Sequence, residues 1–118
     1  MIGAGYWGPN LIRNFRGSAD WDLVAVCDVD TARAHDVLGA RSGVVVTGVL
    51  DELLARPDLD AVAIATPART HHAIALAALR AGKHVLVEKP LADSLASGRA
   101  MVELARRRGL VLMADHTY

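Results

Sequence analysis

Five short apolar runs, each followed or preceded by a stretch with helical patterning, constrain this chain more than any other feature. They are LVAVCD (residues 23–28), VVVT (44–47), AVAIAT (61–66), HVLVE (84–88) and LVLMAD (110–115). Each is rich in β-branched and aliphatic residues on successive positions instead of alternating with polar ones. That is the pattern of strands covered on both faces, as in a parallel sheet. Strands alternating with helices predict an α/β domain in which helices cross over between parallel neighbours.

The intervening segments carry helix signals of their own. Pro9 suits the first turn of a helix ending near Gly17, and Asp30 reads as the N-cap of a helix stopping at Gly39. A shorter segment is closed by Pro57. Two longer ones end at Gly82 and Gly109 with arginines near their last turns, where a positive charge complements the helix dipole. Thr70 is placed as the N-cap of the first of these. In the second, Leu95, Met101, Val102 and Ala105 fall on roughly one stripe, opposite Arg99, Glu103 and Arg107.

At 118 residues the chain has the length of one domain, with no internal repeat or linker to divide residues 1–118. Thirteen basic and thirteen acidic side chains cancel, so nothing points to a nucleic-acid or membrane-surface partner, and a small molecule is the expected one. The single cysteine, Cys27, can form no internal disulfide and reads as a small core residue, which fits a cytoplasmic protein. No run is long enough to span a membrane, and no histidine or cysteine pairs at metal-ligand spacing, so no metal site is expected. Trp21 is expected to cover an edge of the core.

The stretch MIGAGYWGPN places Gly3, Gly5 and Gly8 immediately before the first helix. Alone, three such glycines could be an ordinary turn. Here the next strand ends in Asp28, twenty residues after Gly8, which is the layout of a βαβ dinucleotide site. Gly3 allows the tight turn, Gly5 the close approach of a pyrophosphate, and Gly8 the packing of helix on strand. Asp28 would accept hydrogen bonds from the adenosine ribose and repel a 2′-phosphate, favouring NAD over NADP. Arg33, one helical turn further on, could still swing toward such a phosphate. Only Met1 and Ile2 precede the turn, where about five strand residues are usual. The first strand is therefore expected to be truncated, leaving ladder groups unpaired on its neighbours, and both ends of the chain read as cut.

Two further stretches follow predicted strands at their carboxyl ends, where open α/β sheets bind ligands. Thr66-Pro67 opens a loop toward Thr70, His71 and His72. Glu88-Lys89-Pro90 sets a carboxylate and an ammonium on a stiff turn, although a turn lysine is ordinarily just solvated. His116 either reaches the crevice or satisfies backbone groups at a strand end. His35 and His84 are assigned no site.

Together IGAGYWG, CDVD, ATPARTHHAIALAALRAGKHVLVEKPLA and ADHTY resemble the nucleotide-binding half of the Gfo/Idh/MocA oxidoreductases over essentially the whole chain. The resemblance implies a doubly wound Rossmann sheet of strand order 3-2-1-4-5-6. In family members a substrate and oligomerisation domain follows, making the parent a homo-oligomer, and that domain is absent from this sequence. The resemblance puts the dinucleotide on Gly3, Ala4, Gly5, Tyr6, Trp7, Gly8 and Asp28, with Thr66, Pro67 and His71 on the nicotinamide side. It gives Lys89 the catalytic place, with Glu88 and Pro90 holding it. The implied reaction is hydride transfer between NAD(P) and a secondary hydroxyl of a sugar, polyol or nucleotide sugar. The general base would come from the second domain, so the chain alone is expected to be inactive. GYWGPN and DHT resemble members acting at the 3-position of nucleotide-activated sugars. A non-catalytic nucleotide-binding module is the competing expectation, and Lys89 is what separates the two.

Overall fold

Parallel backbone ladders set the frame of the computed structural model, which describes residues 1–116. In chain order the elements are α1 (Gly8–Gly17), β1 (Ala25–Cys27), α2 (Thr31–Leu38), β2 (Val45–Thr47), α3 (Leu50–Leu54) and β3 (Ala61–Ile64). A 3-10 turn (Ala68–Thr70), α4 (His71–Arg80), β4 (His84–Glu88), α5 (Leu95–Arg108) and β5 (Leu112–Asp115) follow. Strand β1 pairs with β2, and β3 with β4 and β4 with β5, all in parallel. All five apolar runs form strands, each confined to the part of the run that finds a ladder partner.

Ile2 joins the two ladders through single parallel bridges to Cys27 and Ile64. Its N–H donates to Ala63 O and its carbonyl accepts from Ala65 N, both at 2.8 Å. On the other side Cys27 N donates to Met1 O, and Gly3 N donates to Cys27 O, again at 2.8 Å. The truncated strand expected before the glycines is thus a single bridging residue. The expectation that it would leave its neighbours' ladder groups unpaired is corrected over the length of Met1 to Gly3, because their backbone groups are shared between both flanking strands. The glycine turn is anchored accordingly, since an unpaired backbone group in a buried sheet would be costly.

Side chains alternate across the sheet and build two cores. Ile2, Ala25, Val62, Ile64, Val85 and Val87 face α3, α4 and α5. On the opposite face Met1, Val26 and Ala63 pack with Ile12 of α1 and with Ala34 and Leu38 of α2. Covering of both faces does not extend to the whole sheet. Val45 on β2 is exposed, and Met113 on β5 keeps 59% of its surface in solvent. Only α1 and α2 lie on the second face among the described elements, and they cover its β1–β2 side. Beside them an apolar cavity of about 270 Å³ opens among Met1, Phe15, Leu23, Ala63, Leu86 and Met113. Trp21 stands at its rim, half exposed, with its ring edge-on to Phe15 at 6.1 Å.

Helix ends follow local chemistry where a side chain is present to cap them. Asp30 accepts from Arg33 N at 3.0 Å, and Ser94 accepts from Ser97 N at 3.1 Å. Gly109 ends α5 in the left-handed conformation. Thr70 differs from expectation. It occupies the N-cap position of α4 without a capping bond, because its hydroxyl donates to Pro67 O and pairs with Thr66 Oγ1 inside the 3-10 turn. The α5 stripe also differs: Met101 and Ala105 are buried, whereas Leu95 and Val102 face solvent. Helical spacing places them near one another, but only the middle of that face, at Met101 and Ala105, is covered by its neighbours.

Candidate cofactor site

The glycine turn is built by close backbone contact. Gly3 has φ of +93°, a region open to glycine, and a Cβ there would lie 2.7 Å from Ala65 O. A Cβ on Gly8 would strike Gly3 O, so α1 begins directly on the backbone of the turn. Gly5 is different. A Cβ on it would meet nothing closer than the Arg33 guanidinium at 4.0 Å. The space above Gly5 is open, as a turn that admits a phosphate requires. No side chain caps the amino end of α1, which leaves that end free to face an anion.

Asp28, 6% exposed, lies at the carboxyl end of β1. Its Oδ2 accepts from Ala4 N at 2.7 Å and its Oδ1 from Asp30 N at 2.8 Å. Arg33 Nη2 donates to both oxygens, at 2.9 and 3.1 Å. Burial pushes the Asp28 carboxyl up, but these donors together outweigh it and hold the group below its ordinary value. The Ala4 N–H is thereby committed to Asp28 and ties the turn to the acid.

Across the sheet a second part of the site forms a crevice of about 520 Å³. It is lined by Tyr6 and Trp7 from the turn, Thr66 and Pro67 from the β3 loop, Glu88 at the end of β4 with Lys89 just after it, and Asp115 from β5. The parallel register sets Glu88 beside Asp115. Burial pushes the Glu88 carboxyl up, and the charge and hydrogen bond of Asp115 push it further, against the Lys89 backbone and ammonium. Glu88 Oε1 is buried without a hydrogen-bond partner among the described residues. Lys89 is exposed at the mouth, and its peptide bond to Pro90 is cis.

His71 stands behind this wall. Its ring is buried to 1% exposure, with Nε2 against Thr66 O at 2.8 Å and Nδ1 against Pro90 O at 2.7 Å. The ring ties the Thr66-Pro67 loop to the Glu88-Lys89-Pro90 turn. His72 is half-buried, and His116 is exposed. Thr117 and Tyr118, which end the ADHTY stretch, lie outside the described residues. His84 serves the fold, its Nδ1 accepting from Val111 N at 3.0 Å.

One site residue escaped the sequence pattern, as did one contact between two residues that it had named. Asp115 could have been found as an acid at the carboxyl end of a strand, next to the lysine turn. The Asp28–Arg33 pair had a fainter signal, an arginine in the first turn of the helix that follows the acid. The fit to a dinucleotide is supported from both ends: an open glycine turn before an uncapped helix, and a crevice with an orphaned buried oxygen and an exposed ammonium.

Residues 1–116 match the Gfo/Idh/MocA family model, described as an oxidoreductase family with an NAD-binding Rossmann fold. The chain is 37% identical over 118 residues to 4-carboxy-2-hydroxymuconate-6-semialdehyde dehydrogenase of a Sphingobium species, covering 99% of this chain and 37% of that protein. It is 48% identical over 108 residues to dTDP-3,4-didehydro-2,6-dideoxy-alpha-D-glucose 3-reductase of Streptomyces violaceoruber, covering 92% of this chain and 31% of that one. Among solved structures, GenD2 from gentamicin A biosynthesis in complex with NAD superposes with a TM-score of 0.90 at 38% identity, over 96% of this chain and 32% of GenD2. Other matching structures hold NADP. The chain spans about a third of the length of the curated relatives it matches. It belongs to the Gfo/Idh/MocA oxidoreductase family, whose NAD-binding Rossmann fold it carries.

Proposed function

We propose that the chain is the cofactor-holding part of an oxidoreductase that moves a hydride between NAD and a secondary hydroxyl of a sugar, polyol or nucleotide sugar. One observation carries the proposal: the Lys89 ammonium stands at the mouth of a crevice that also contains Glu88 and Asp115 and begins at the glycine turn. A module that only binds a nucleotide has no use for a cation at that end. The 3-reductase relative, named for a dTDP-sugar, supports the substrate class.

When bound, NAD supplies the hydride acceptor. Gly5 and the amino end of α1 would hold the pyrophosphate, and Asp28 the adenosine ribose. Tyr6, Trp7, Thr66 and Pro67 would wall the nicotinamide side, held from behind by His71. Lys89 would donate a hydrogen bond to the substrate hydroxyl and stabilise negative charge as its proton leaves. The group that takes that proton is assigned outside residues 1–118. Cytoplasmic location is part of the same proposal and rests on Cys27, a buried free thiol. No helix of the described residues is long and apolar enough to cross a membrane.

The purified chain is expected to bind NAD in a calorimeter and to oxidise sugars or nucleotide sugars little or not at all. Absence of NAD binding would overturn the cofactor assignment, and robust turnover by the chain alone would overturn the placement of the proton acceptor. Fused to the substrate domain of a family member, the chain should turn over. In that fusion Lys89→Met should lower turnover by roughly a hundredfold or more with NAD still bound.

A further inference from the structure

One proton decides the charge of the crevice beside Lys89. Parallel register sets Glu88 opposite Asp115, and the two carboxyls are hydrogen-bonded to each other. That contact needs a proton on one of them, because an ionised carboxylate only accepts. Glu88 Oε1 is buried with no hydrogen-bond partner among the described residues, so a second negative charge placed there would go unsolvated. Lys89 lines the same crevice. With one proton held between the carboxyls the crevice is neutral, an ammonium against a single carboxylate. The other titratable groups around it are the Tyr6 hydroxyl on the turn side, the His71 ring behind the wall and the exposed His116 after Asp115. Asp115 and Lys89 are the charges that act on Glu88.

We infer that Glu88 and Asp115 share a proton that is exchanged with the charge of the nicotinamide, so that the pair gives it up to bind NAD and keeps it to bind NADH. The inference rests on the dinucleotide assignment above and deepens it. The oxidised nicotinamide ring carries one positive charge and the reduced ring none. A doubly ionised pair balances Lys89 and the oxidised ring together, whereas a singly protonated pair balances Lys89 alone. The crevice stays neutral with both nucleotides only if the pair exchanges one proton. The count closes on the proposed reaction. The substrate carbon gives a hydride to the ring and so cancels its charge, the hydroxyl oxygen gives up a proton, and the pair takes up one proton. Oxidation of the substrate and reloading of the pair are thereby linked.

The test is calorimetric titration of the chain with NAD and with NADH between about pH 5 and about pH 8, with circular dichroism to verify folding. Buffers of different ionisation enthalpy let the released protons be counted directly. NAD binding is expected to release up to about one proton and to tighten by up to about tenfold per pH unit while the pair is protonated, then to level out. NADH binding should release none and stay flat. Adenosine and phosphates are common to both nucleotides, so the difference between the two curves reports the nicotinamide end. Glu88→Gln should remove that difference, and Asp115→Asn should shrink it, because the burial of Glu88 remains. A purely structural pair would shift both affinities together and leave the slopes parallel. If NAD and NADH show the same slope and proton count in the unaltered chain, or the difference survives Glu88→Gln, the exchange is refuted while the dinucleotide assignment stands. A difference undiminished in Asp115→Asn would overturn the sharing of the proton with Asp115. If the unaltered chain binds neither nucleotide, the assignment itself fails and the exchange fails with it.

Discussion

Gly8 rests on Gly3: a Cβ on Gly8 would strike the Gly3 carbonyl oxygen and stand 3.0 Å from the carbonyl carbon. Both obstacles are backbone, so neither can swing aside as a side chain could. Gly8→Ala is expected to lift α1 off the turn at a cost of about 3 kcal/mol. Urea denaturation measures the loss, and NAD affinity should fall with it.

Gly5→Ala separates packing from binding at the same turn. The added methyl meets nothing nearer than the Arg33 guanidinium at 4.0 Å, and Gly5 is not among the positive-φ glycines. Stability should therefore stay within about 0.5 kcal/mol, while NAD affinity drops by roughly tenfold or more as the methyl enters the space for the pyrophosphate. Equal loss of stability and binding would show that Gly5 serves the fold instead.

His71 connects two loops that belong to different crossovers. Replacing it with Ala removes hydrogen-bonding partners from Thr66 O and Pro90 O and leaves a cavity where a fully buried ring stood. The expected loss is about 3 kcal/mol in urea denaturation. Trp7 borders the same crevice, so its fluorescence should report the loosened wall.

Lys83 gives a contrast remote from the site. Its buried ammonium donates to Arg56 O at 2.9 Å and Leu59 O at 2.7 Å, pinning the loop between α3 and β3. Lys83→Met should destabilise by about 2 kcal/mol, because the carbonyls lose their donor in a buried place. NAD affinity, measured on the folded variant, should be unchanged.

What could be read from the sequence divides by distance along the chain. Asp30 and Gly39 act within a few residues, so the bounds of α2 were legible from local chemistry, as were five strands marked by composition. The glycine turn and Asp28 were legible because their spacing follows from a fixed βαβ unit. Leu95 and Val102 misled, since helical periodicity says which residues share a face and not how wide a neighbour covers it. His71 reaches Pro90 across 19 residues, and Lys83 reaches Leu59 across 24. Such partners are decided only when loops from separate crossovers converge. The Asp28–Arg33 pair spans just 5 residues, yet spacing does not reveal that the guanidinium bonds both carboxylate oxygens.

The neighbouring carboxyls Glu88 and Asp115 make a pH dependence with a definite sign. An unfolded Glu titrates near 4.5, and in the folded chain burial and the Asp115 charge raise Glu88 above that value. Between the two values the folded state holds a proton that the unfolded state has released. The stabilisation is complete below the unfolded pKa and is lost as pH rises through the folded one. Urea midpoints of the unaltered chain should therefore fall relative to those of Glu88→Gln from about pH 4.5 upward, then level out once Glu88 is ionised. Asp115→Asn should narrow the interval over which the fall occurs, because it removes the charge that raises Glu88 but leaves the burial. If the curves of the unaltered chain and Glu88→Gln run parallel across this range, folding does not raise Glu88, and neither its burial nor the Asp115 charge governs its proton.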